Sequence, residues 1–132
     1  MVKTALVTGA SKGIGKAIAI ELAKNKINVV VNYNKDEKEA VNVVEEIKKL
    51  GAYAIAVKAD VSDFEQCSSM MGIVKKKFGS LDILINNAGI LSDKTFEKMT
   101  KEQWDFVIST NLGSMFNVTK NALPLLKDNG RI

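Results

Sequence analysis

The segment TALVTGASKGIG, residues 4–15, joins a short apolar run to a helical pattern through a glycine-rich loop. Residues 4–8 are mostly apolar or β-branched, which is typical of a buried strand that ends at Gly9. From Gly13 onward, apolar residues recur at helical spacing, so the segment predicts a strand, a tight turn and an amphipathic helix. The predicted apolar face of this helix consists of Ile14, Ala17, Ile18 and Leu22.

Apolar runs and amphipathic helices continue to alternate along the chain. We predict three more buried strands, at residues 27–31, 53–57 and 81–85. Ala40, Val43, Val44 and Ile47 mark the apolar face of the second helix. The helices between these strands end at Gly51 and Gly79, since glycine is favoured just after a helix.

Two capping-box patterns predict where the later helices begin. Ser62 and Glu65 introduce the third helix. Thr100 and Gln103 introduce a long fourth helix that spans residues 101–127.

The order of these elements predicts the fold class. Strands without polar alternation, separated by amphipathic helices, indicate a parallel sheet with helices on both faces. Right-handed crossovers then give the strand order 3-2-1-4, so we predict an α/β protein with a Rossmann-type doubly wound parallel sheet. Arg131-Ile132 is interpreted as the first residues of a fifth strand. The single domain, residues 1–132, is therefore expected to be truncated after the fourth βα unit, with an open edge on strand four.

Composition excludes several classes of protein. The 132 residues carry a net charge of +4, with 46% hydrophobic and 26% charged residues, which is an ordinary globular balance. No apolar run approaches the roughly 18–20 residues of a membrane span, and the scattered lysines do not favour nucleic-acid binding. One cysteine, Cys67, and no histidine argue against a disulfide framework and a metal site and fit a cytoplasmic protein.

The glycine loop lies where a phosphate-binding loop must lie, after a strand and before a helix. Gly9 is expected to allow the tight turn, Gly13 the approach of a pyrophosphate, and Gly15 close packing. The amides at the helix start would face the phosphates, with Ser11 adding a hydrogen bond and Lys12 a charge. The spacing fits neither the Walker loop nor the usual G-x-G-x-x-G fingerprint. A strand-to-helix turn that binds nothing is the alternative.

Four motifs resemble those of the short-chain dehydrogenase/reductase family. They are T-G-x-x-x-G-x-G at residues 8–15, Asp60-Val61, Asn86-Asn87-Ala88-Gly89, and Asn111. Within the family, the segments TGASKGIG, VNYN and DILINNAGI look most like the 3-oxoacyl-[acyl-carrier-protein] reductases. The resemblance implies an NADPH-dependent reductase whose intact form acts on a 3-oxoacyl thioester, either a small molecule or a substrate linked to acyl-carrier protein. The alternatives are an inactive nucleotide-binding module, or a family member that acts on a sugar, steroid or other carbonyl.

The resemblance also implies which residues bind the cofactor. Asp60 and Val61 would hold the adenine, and Asn86 would tie neighbouring strands together. The residues expected at the pyrophosphate and nicotinamide ribose are Gly9, Ser11, Lys12, Gly13, Ile14 and Gly15. Those expected beside the riboses are Asn87, Ala88 and Gly89.

The end of strand two favours NADP(H) over NAD(H). Sites that prefer NAD often place an acidic residue there, but this strand ends in Asn34 and Lys35, and Asp36 is expected to start the next helix. Asn34 is the candidate cofactor residue at this end. Lys12 stands where the family's NADP enzymes commonly carry a basic residue.

Asn111 lies among apolar residues of the long helix. Taken alone, it favours a structural asparagine that bonds a neighbouring carbonyl at a helix irregularity. By resemblance, it is the asparagine of the family's Asn-Ser-Tyr-Lys catalytic set, which holds a water in the proton relay. The serine and the Tyr-x-x-x-Lys pair are not found here, since Tyr33 belongs to a strand end and Tyr53 is followed at the required spacing by Val57. The chain by itself is therefore expected to be inactive.

The long helix predicts a homo-oligomer in the intact form. One apolar stripe, expected to face the sheet, contains Trp104, Val107, Ile108, Met115 and Val118. A second stripe contains Leu112, Phe116, Leu123 and Leu126. A helix that is apolar on two sides is usually buried on two sides, and in the family's intact members this helix commonly packs against a partner subunit.

Overall fold

The computed structural model describes all residues from Met1 to Ile132 as a five-stranded parallel sheet between helices. The strands are β1 Thr4–Val7, β2 Asn28–Tyr33, β3 Ala54–Lys58, β4 Leu81–Ile85 and β5 Leu126–Arg131. The helices are α1 Gly13–Lys24, α2 Glu37–Lys49, α3 Phe64–Phe78, α4 Lys101–Ile108 and α5 Ser114–Ala122. A π-helical turn, Ser109–Gly113, joins α4 to α5, and a 3-10 turn, Leu123–Leu125, comes after α5. None of the helices is both long and apolar enough to span a membrane.

The strand order is β3-β2-β1-β4-β5, which confirms the predicted order of the first four strands and the Rossmann-type doubly wound class. β1 lies between β2 and β4, with Val7 paired to Val31 on one side and Ile85 on the other. Chain order reverses between β1 and β4. The loops that leave these strands therefore meet at the carboxyl edge of the sheet, where such folds bind their ligands.

Two apolar layers hold helices to the two faces of the sheet. Neighbouring residues of β1 point to opposite layers, since Leu6 packs with α3 and α5 while Val7 packs with α1 and α2. The predicted face of α2 is fully confirmed; its residues Ala40, Val43, Val44 and Ile47 are all buried.

The predicted apolar face of α1 is wrong in part. Its buried residues are Gly15, Ala19 and Ala23, at a spacing of four, whereas Ile14 is 75% exposed. Small side chains let the helix axis approach the strands closely. The larger Ile18 and Leu22 pack at the side of the core, only partly buried.

Two predictions about the chain end are also wrong. β5 begins at Leu126, inside the predicted helix, and Leu81 pairs with Leu126 before an irregular register brings Ile83 opposite Arg131. β4 is therefore not an open edge. The helical pattern ends early because Pro124 has no N–H to donate to a carbonyl of the preceding turn.

The long fourth helix is not one continuous α-helix. A π turn holds one extra residue per turn and rotates the helix beyond it, so a stripe counted across Ser109–Gly113 loses its phase. Of the stripe predicted to face the sheet, Val118 is buried, whereas Trp104 is 49% exposed and α4 has no buried residue. The buried face of α5 consists of Ser114, Val118 and Ala122.

One of the two predicted capping boxes is confirmed. The Thr100 hydroxyl accepts from the Gln103 amide, and the Gln103 side chain accepts from the Thr100 amide. The Ser62 box is wrong, because Asp63 caps α3 by accepting from two backbone amides. The Ser62 hydroxyl instead donates to Asp60 Oδ1 at 2.6 Å.

Candidate functional site

A cleft of about 490 Å³ lies at the carboxyl edge of the sheet, between the loops that leave β1, β2, β3 and β4. Ten of the twelve predicted cofactor residues line it: Gly9, Ser11, Lys12, Ile14, Asn34, Asp60, Val61, Asn87, Ala88 and Gly89. The fold therefore brings Asn34 and residues of three of the four motifs, up to 80 residues apart in the chain, to one cleft; Asn111, the fourth motif, does not line it.

The two remaining glycines, Gly13 and Gly15, do not line the cleft. Gly15 lies behind it, and a Cβ added there would be 2.4 Å from the Gly9 carbonyl oxygen and 2.5 Å from Asn87 Nδ2. Gly13 has a φ of +59° and open space where a Cβ would be. Gly15 thus lets α1 approach the loops closely, whereas Gly13 provides the left-handed turn into the helix.

The first amides of α1 are available to a ligand. No side chain caps this helix, and the first bond of the helix runs from the Lys16 amide to the Lys12 carbonyl. The amides of Gly13, Ile14 and Gly15 make no hydrogen bond. Together with the partial positive charge of a helix N-terminus, these amides suit a phosphate group.

The buried Thr8 joins the loops that leave β1 and β4. Its hydroxyl oxygen accepts from the backbone amides of Asn87 and Ala88, each at 2.9 Å. In return, Asn87 Nδ2 donates to the carbonyls of Thr8 at 3.0 Å and Gly9 at 3.1 Å. Asn86 was expected to link neighbouring strands, but Asn87 makes the hydrogen bonds that link the ends of β1 and β4. Asn86 Nδ2 donates instead to Thr119 Oγ1 on α5, at 3.1 Å.

Asn32 was missed by the sequence reasoning, although it lines the cleft and is only 2% exposed. Its Oδ1 accepts from the Gly9 amide at 3.1 Å. Its Nδ2 donates to the carbonyls of Val57 at 3.3 Å and Ala59 at 3.2 Å. One side chain thus links the ends of β1, β2 and β3. The available signal was an amide within the otherwise apolar run VVVNY, residues 29–33.

The β3–α3 loop forms the third wall. Asp60 Oδ1 accepts from the Ser62 amide and hydroxyl, which fixes the carboxylate. The Val61 carbonyl accepts from Asn117 Nδ2 at 3.1 Å, and the Cys67 thiol also points at it. Burial, with smaller contributions from Asp63 and Asp60, raises the pKa of the Cys67 thiol to about 11, which favours the protonated form over the nucleophilic thiolate at neutral pH.

Asn111 makes a paired contact with the backbone of Ile90. Its Oδ1 accepts from the Ile90 amide at 2.7 Å, and its Nδ2 donates to the Ile90 carbonyl at 2.8 Å. It lies within the π turn and does not itself line the cleft, although Ile90 does. This is the bonding expected of a structural asparagine at a helix irregularity. Its catalytic role stays a prediction.

Eight residues besides the predicted cofactor residues line the cleft, and they change its electrostatics. These residues are Asn32, Tyr33, Lys35, Asp36, Ala59, Ile90, Phe106 and Thr110. Lys12 Nζ lies 3.2 Å from Asp36 Oδ2, so the loop cation is paired across the cleft. Burial, aided by the Glu37 carboxylate, raises the pKa of the Tyr33 hydroxyl.

Comparison with known proteins identifies relatives along nearly the whole chain. Residues 3–132 match the family model described as short chain dehydrogenase. The 3-oxoacyl-[acyl-carrier-protein] reductase FabG of Staphylococcus aureus strain Mu50 is 48% identical over 124 residues, which are 94% of this chain and 50% of that protein. The hydroxynaphthalene reductase-like protein Arp2 of Metarhizium brunneum is 45% identical over 130 residues, 98% of this chain and 49% of that protein. The chain spans about half the length of these curated relatives.

Solved structures share the fold. A dehydrogenase/reductase from Sinorhizobium meliloti superposes with a TM-score of 0.96 at 38% sequence identity. The match covers 100% of this chain and 53% of the Sinorhizobium chain. A short chain dehydrogenase from Burkholderia cenocepacia, solved in complex with NADP, superposes with a TM-score of 0.94 at 38% sequence identity. This match covers 98% of this chain and 53% of the Burkholderia chain. With the family model matched from residue 3 to residue 132 on this same fold, the chain belongs to the short-chain dehydrogenase family.

Proposed function

We propose that this chain is the NADP(H)-binding part of an oxidoreductase that reduces a 3-oxoacyl thioester. The observation that carries the proposal is the row of unbonded amides at Gly13–Gly15, beside a cleft that Lys12 and Lys35 also line. Unpaired N–H groups and nearby cations are what a dinucleotide diphosphate requires. The 48% identity to a 3-oxoacyl-[acyl-carrier-protein] reductase supports the substrate class, free or bound to the carrier protein.

The charges at the cleft support NADP(H) over NAD(H). At the ends of β1 and β2, two lysines, Lys12 and Lys35, line the cleft against one carboxylate, Asp36. The other lining carboxylate, Asp60, lies on the β3–α3 loop, so the positive charge is concentrated at the β1 and β2 ends. The complex of the Burkholderia relative with NADP supports the same choice.

The bound cofactor would supply a hydride, while the protein orients it. Asn87, Ala88 and Gly89 would form the wall beside the riboses, and Asp60 and Val61 would contact the adenine. Asn111 would act by fixing Ile90 at the cleft.

No tyrosine in the chain is suited to supply the proton. Tyr33 and Tyr53 are followed four residues later by Glu37 and Val57, not by lysine. The pKa of Tyr33 is also raised, whereas a tyrosine that gives and takes protons near neutral pH needs a lowered one. We therefore propose that the 132-residue chain binds the cofactor but does not turn over substrate. Its lone, buried Cys67 supports the expected cytoplasmic location.

NADPH titration of the folded chain, monitored by calorimetry and cofactor fluorescence, tests the proposed function. We expect saturable binding, and no NADPH oxidation after a 3-oxoacyl thioester is added. In a Lys12→Glu variant, a second carboxylate would face Asp36 and repel a 2′-phosphate. We expect its NADPH affinity to fall by about tenfold and its NADH affinity to fall less.

A folded sample without any NADPH binding would contradict the proposed function. Equal losses for both cofactors in the Lys12→Glu variant would contradict the NADP assignment. Turnover by the unmodified chain would contradict the proposal that it is inactive.

The second candidate function is reduction of another carbonyl compound, and the 45% identity to a hydroxynaphthalene reductase-like protein favours it. An inactive nucleotide-binding module is the third. Assaying the intact protein with a 3-oxoacyl thioester, an aromatic ketone, a sugar and a steroid separates these candidates, because a module without catalysis reduces none of them.

We also propose that a second copy of the chain packs against α4 and α5. The segment that runs from α4 through the π turn and α5 to the 3-10 turn exposes large apolar side chains: Trp104, Phe106, Leu112, Met115, Phe116 and Leu123. Leu112 is 62% exposed and Phe116 is 64% exposed, and several large apolar side chains exposed along one segment favour an interaction surface.

Sedimentation velocity tests this association. We expect the chain to form dimers or larger assemblies, and a Leu112→Glu/Phe116→Glu variant to sediment as a monomer, because buried carboxylates would oppose association. Val41→Glu, on the exposed side of α2, is the matched control and should not change the sedimentation coefficient. A monomeric unmodified chain, or dissociation caused equally by the control, would contradict this interface.

A further inference from the structure

Lys12 and Asp36 form an ion pair that joins two walls of the cleft. Lys12 precedes α1 and Asp36 precedes α2, and the Lys12 Nζ to Asp36 Oδ2 distance is 3.2 Å. Both residues line the cleft, together with Lys35. The pair therefore lies among the groups that would meet the cofactor.

The Asp36 carboxylate does not cap α2, although Asp36 is the N-cap residue of that helix. Asp36 is the N-cap of α2, where aspartate commonly accepts a hydrogen bond from an amide of the first turn. Asp63, the N-cap of α3, does this with the amides of Glu65 and Gln66, but Asp36 makes no such bond. Its carboxylate faces the Lys12 ammonium instead.

We propose that Asp36 is a specificity-determining residue that lowers the affinity of the cleft for a 2′-phosphate by holding the Lys12 ammonium. This inference rests on the proposed NADP(H) function. A dianionic phosphate that approaches Lys12 must displace or share the carboxylate, whereas NADH brings only a ribose hydroxyl. Asp36 thus reduces the preference for NADPH that Lys12 and Lys35 create.

The expected effect is modest because the pair is exposed to solvent. The Lys12 side chain is 77% exposed and that of Asp36 is 44% exposed, so water and salt screen their attraction. Exposed pairs of this kind contribute little, which corresponds to a change in affinity of about two- to fivefold.

Titration calorimetry of Asp36→Asn with NADPH and NADH tests the proposal. We expect the Kd for NADPH to fall by about two- to fivefold at low salt, with a smaller change for NADH. Glu37→Gln is the matched control, since it removes the adjacent exposed carboxylate, which neither pairs with Lys12 nor lines the cleft. This control should alter the Kd for NADPH less than Asp36→Asn does.

A Lys12→Gln background shows whether Asp36 acts through Lys12. We expect Asp36→Asn to improve NADPH binding less in that background than in the unmodified chain. An undiminished gain there, an equal gain from Glu37→Gln, or an equal gain for NADH would overturn the inference and leave the proposed function standing. Absence of NADPH binding to the folded, unmodified chain would instead remove the proposed function itself.

Discussion

Replacing Gly15 by alanine should lower the free energy of unfolding by about 3 kcal/mol and weaken NADPH binding by about tenfold or more. A methyl group there would lie 2.4 Å from the Gly9 carbonyl oxygen and 2.5 Å from Asn87 Nδ2. Neither atom moves easily, because Gly9 begins the turn and Asn87 Nδ2 is bonded to two carbonyls. The helix must therefore shift, and its free amides move with it. The gain of about 1 kcal/mol from the helix propensity of alanine is smaller than this strain.

Gly72→Ala is the matched control for Gly15→Ala. Gly72 is an exposed residue of α3, and a Cβ there would meet no atom within 4 Å. Its replacement should raise stability by about 0.5–1 kcal/mol, because alanine favours the helix. Urea unfolding and NADPH titration of both variants measure the two effects. A Gly15→Ala variant as stable as the Gly72→Ala variant would contradict the close packing at Gly15.

Replacing Asn32 by alanine should lower the free energy of unfolding by roughly 3–5 kcal/mol. The change leaves the Gly9 amide and the carbonyls of Val57 and Ala59 without the partners that Asn32 provides. These groups surround a side chain that is only 2% exposed, so water replaces the lost bonds poorly. NADPH binding should weaken as well, because Gly9 begins the phosphate loop.

Asn32→Asp shows whether the amide donors matter. It keeps an acceptor for the Gly9 amide but turns an oxygen toward the carbonyls of Val57 and Ala59, so it should also be strongly destabilising. Asn42→Ala is the control, since Asn42 is an exposed residue of α2. Chemical unfolding should find Asn42→Ala within about 0.5 kcal/mol of the unmodified chain. Asn32 variants with the same free energy of unfolding as Asn42→Ala would show that the Asn32 hydrogen bonds contribute little to stability.

The strand order and most cleft residues could be predicted because their signals are local. The segment at residues 4–15 contains a strand, a turn and a helix start in sequence, and parallel connections leave few arrangements for the later strands. The face of α2 was predicted because a regular helix keeps one phase from Ala40 to Ile47.

The remaining features depend on distant partners. Asn111 indicated an irregularity in the long helix, but its bonding partner, Ile90, lies 21 residues away, so the sequence did not show that the irregularity is a π turn. Likewise, the choice between Ser62 and Asp63 as cap depends on Asp60, whose carboxylate binds Ser62. Asn32 could be recognised as a polar residue in an apolar strand, but its three partners belong to other segments.

The bonds of Thr8, Asn32 and Asn87 give the cleft its shape without any ligand. The loops at this edge therefore give up their conformational freedom when the chain folds, and a molecule that arrives later does not have to order them. More of its contact energy then appears as affinity, because the entropic penalty of association falls mainly on the ligand's own rotations and translations.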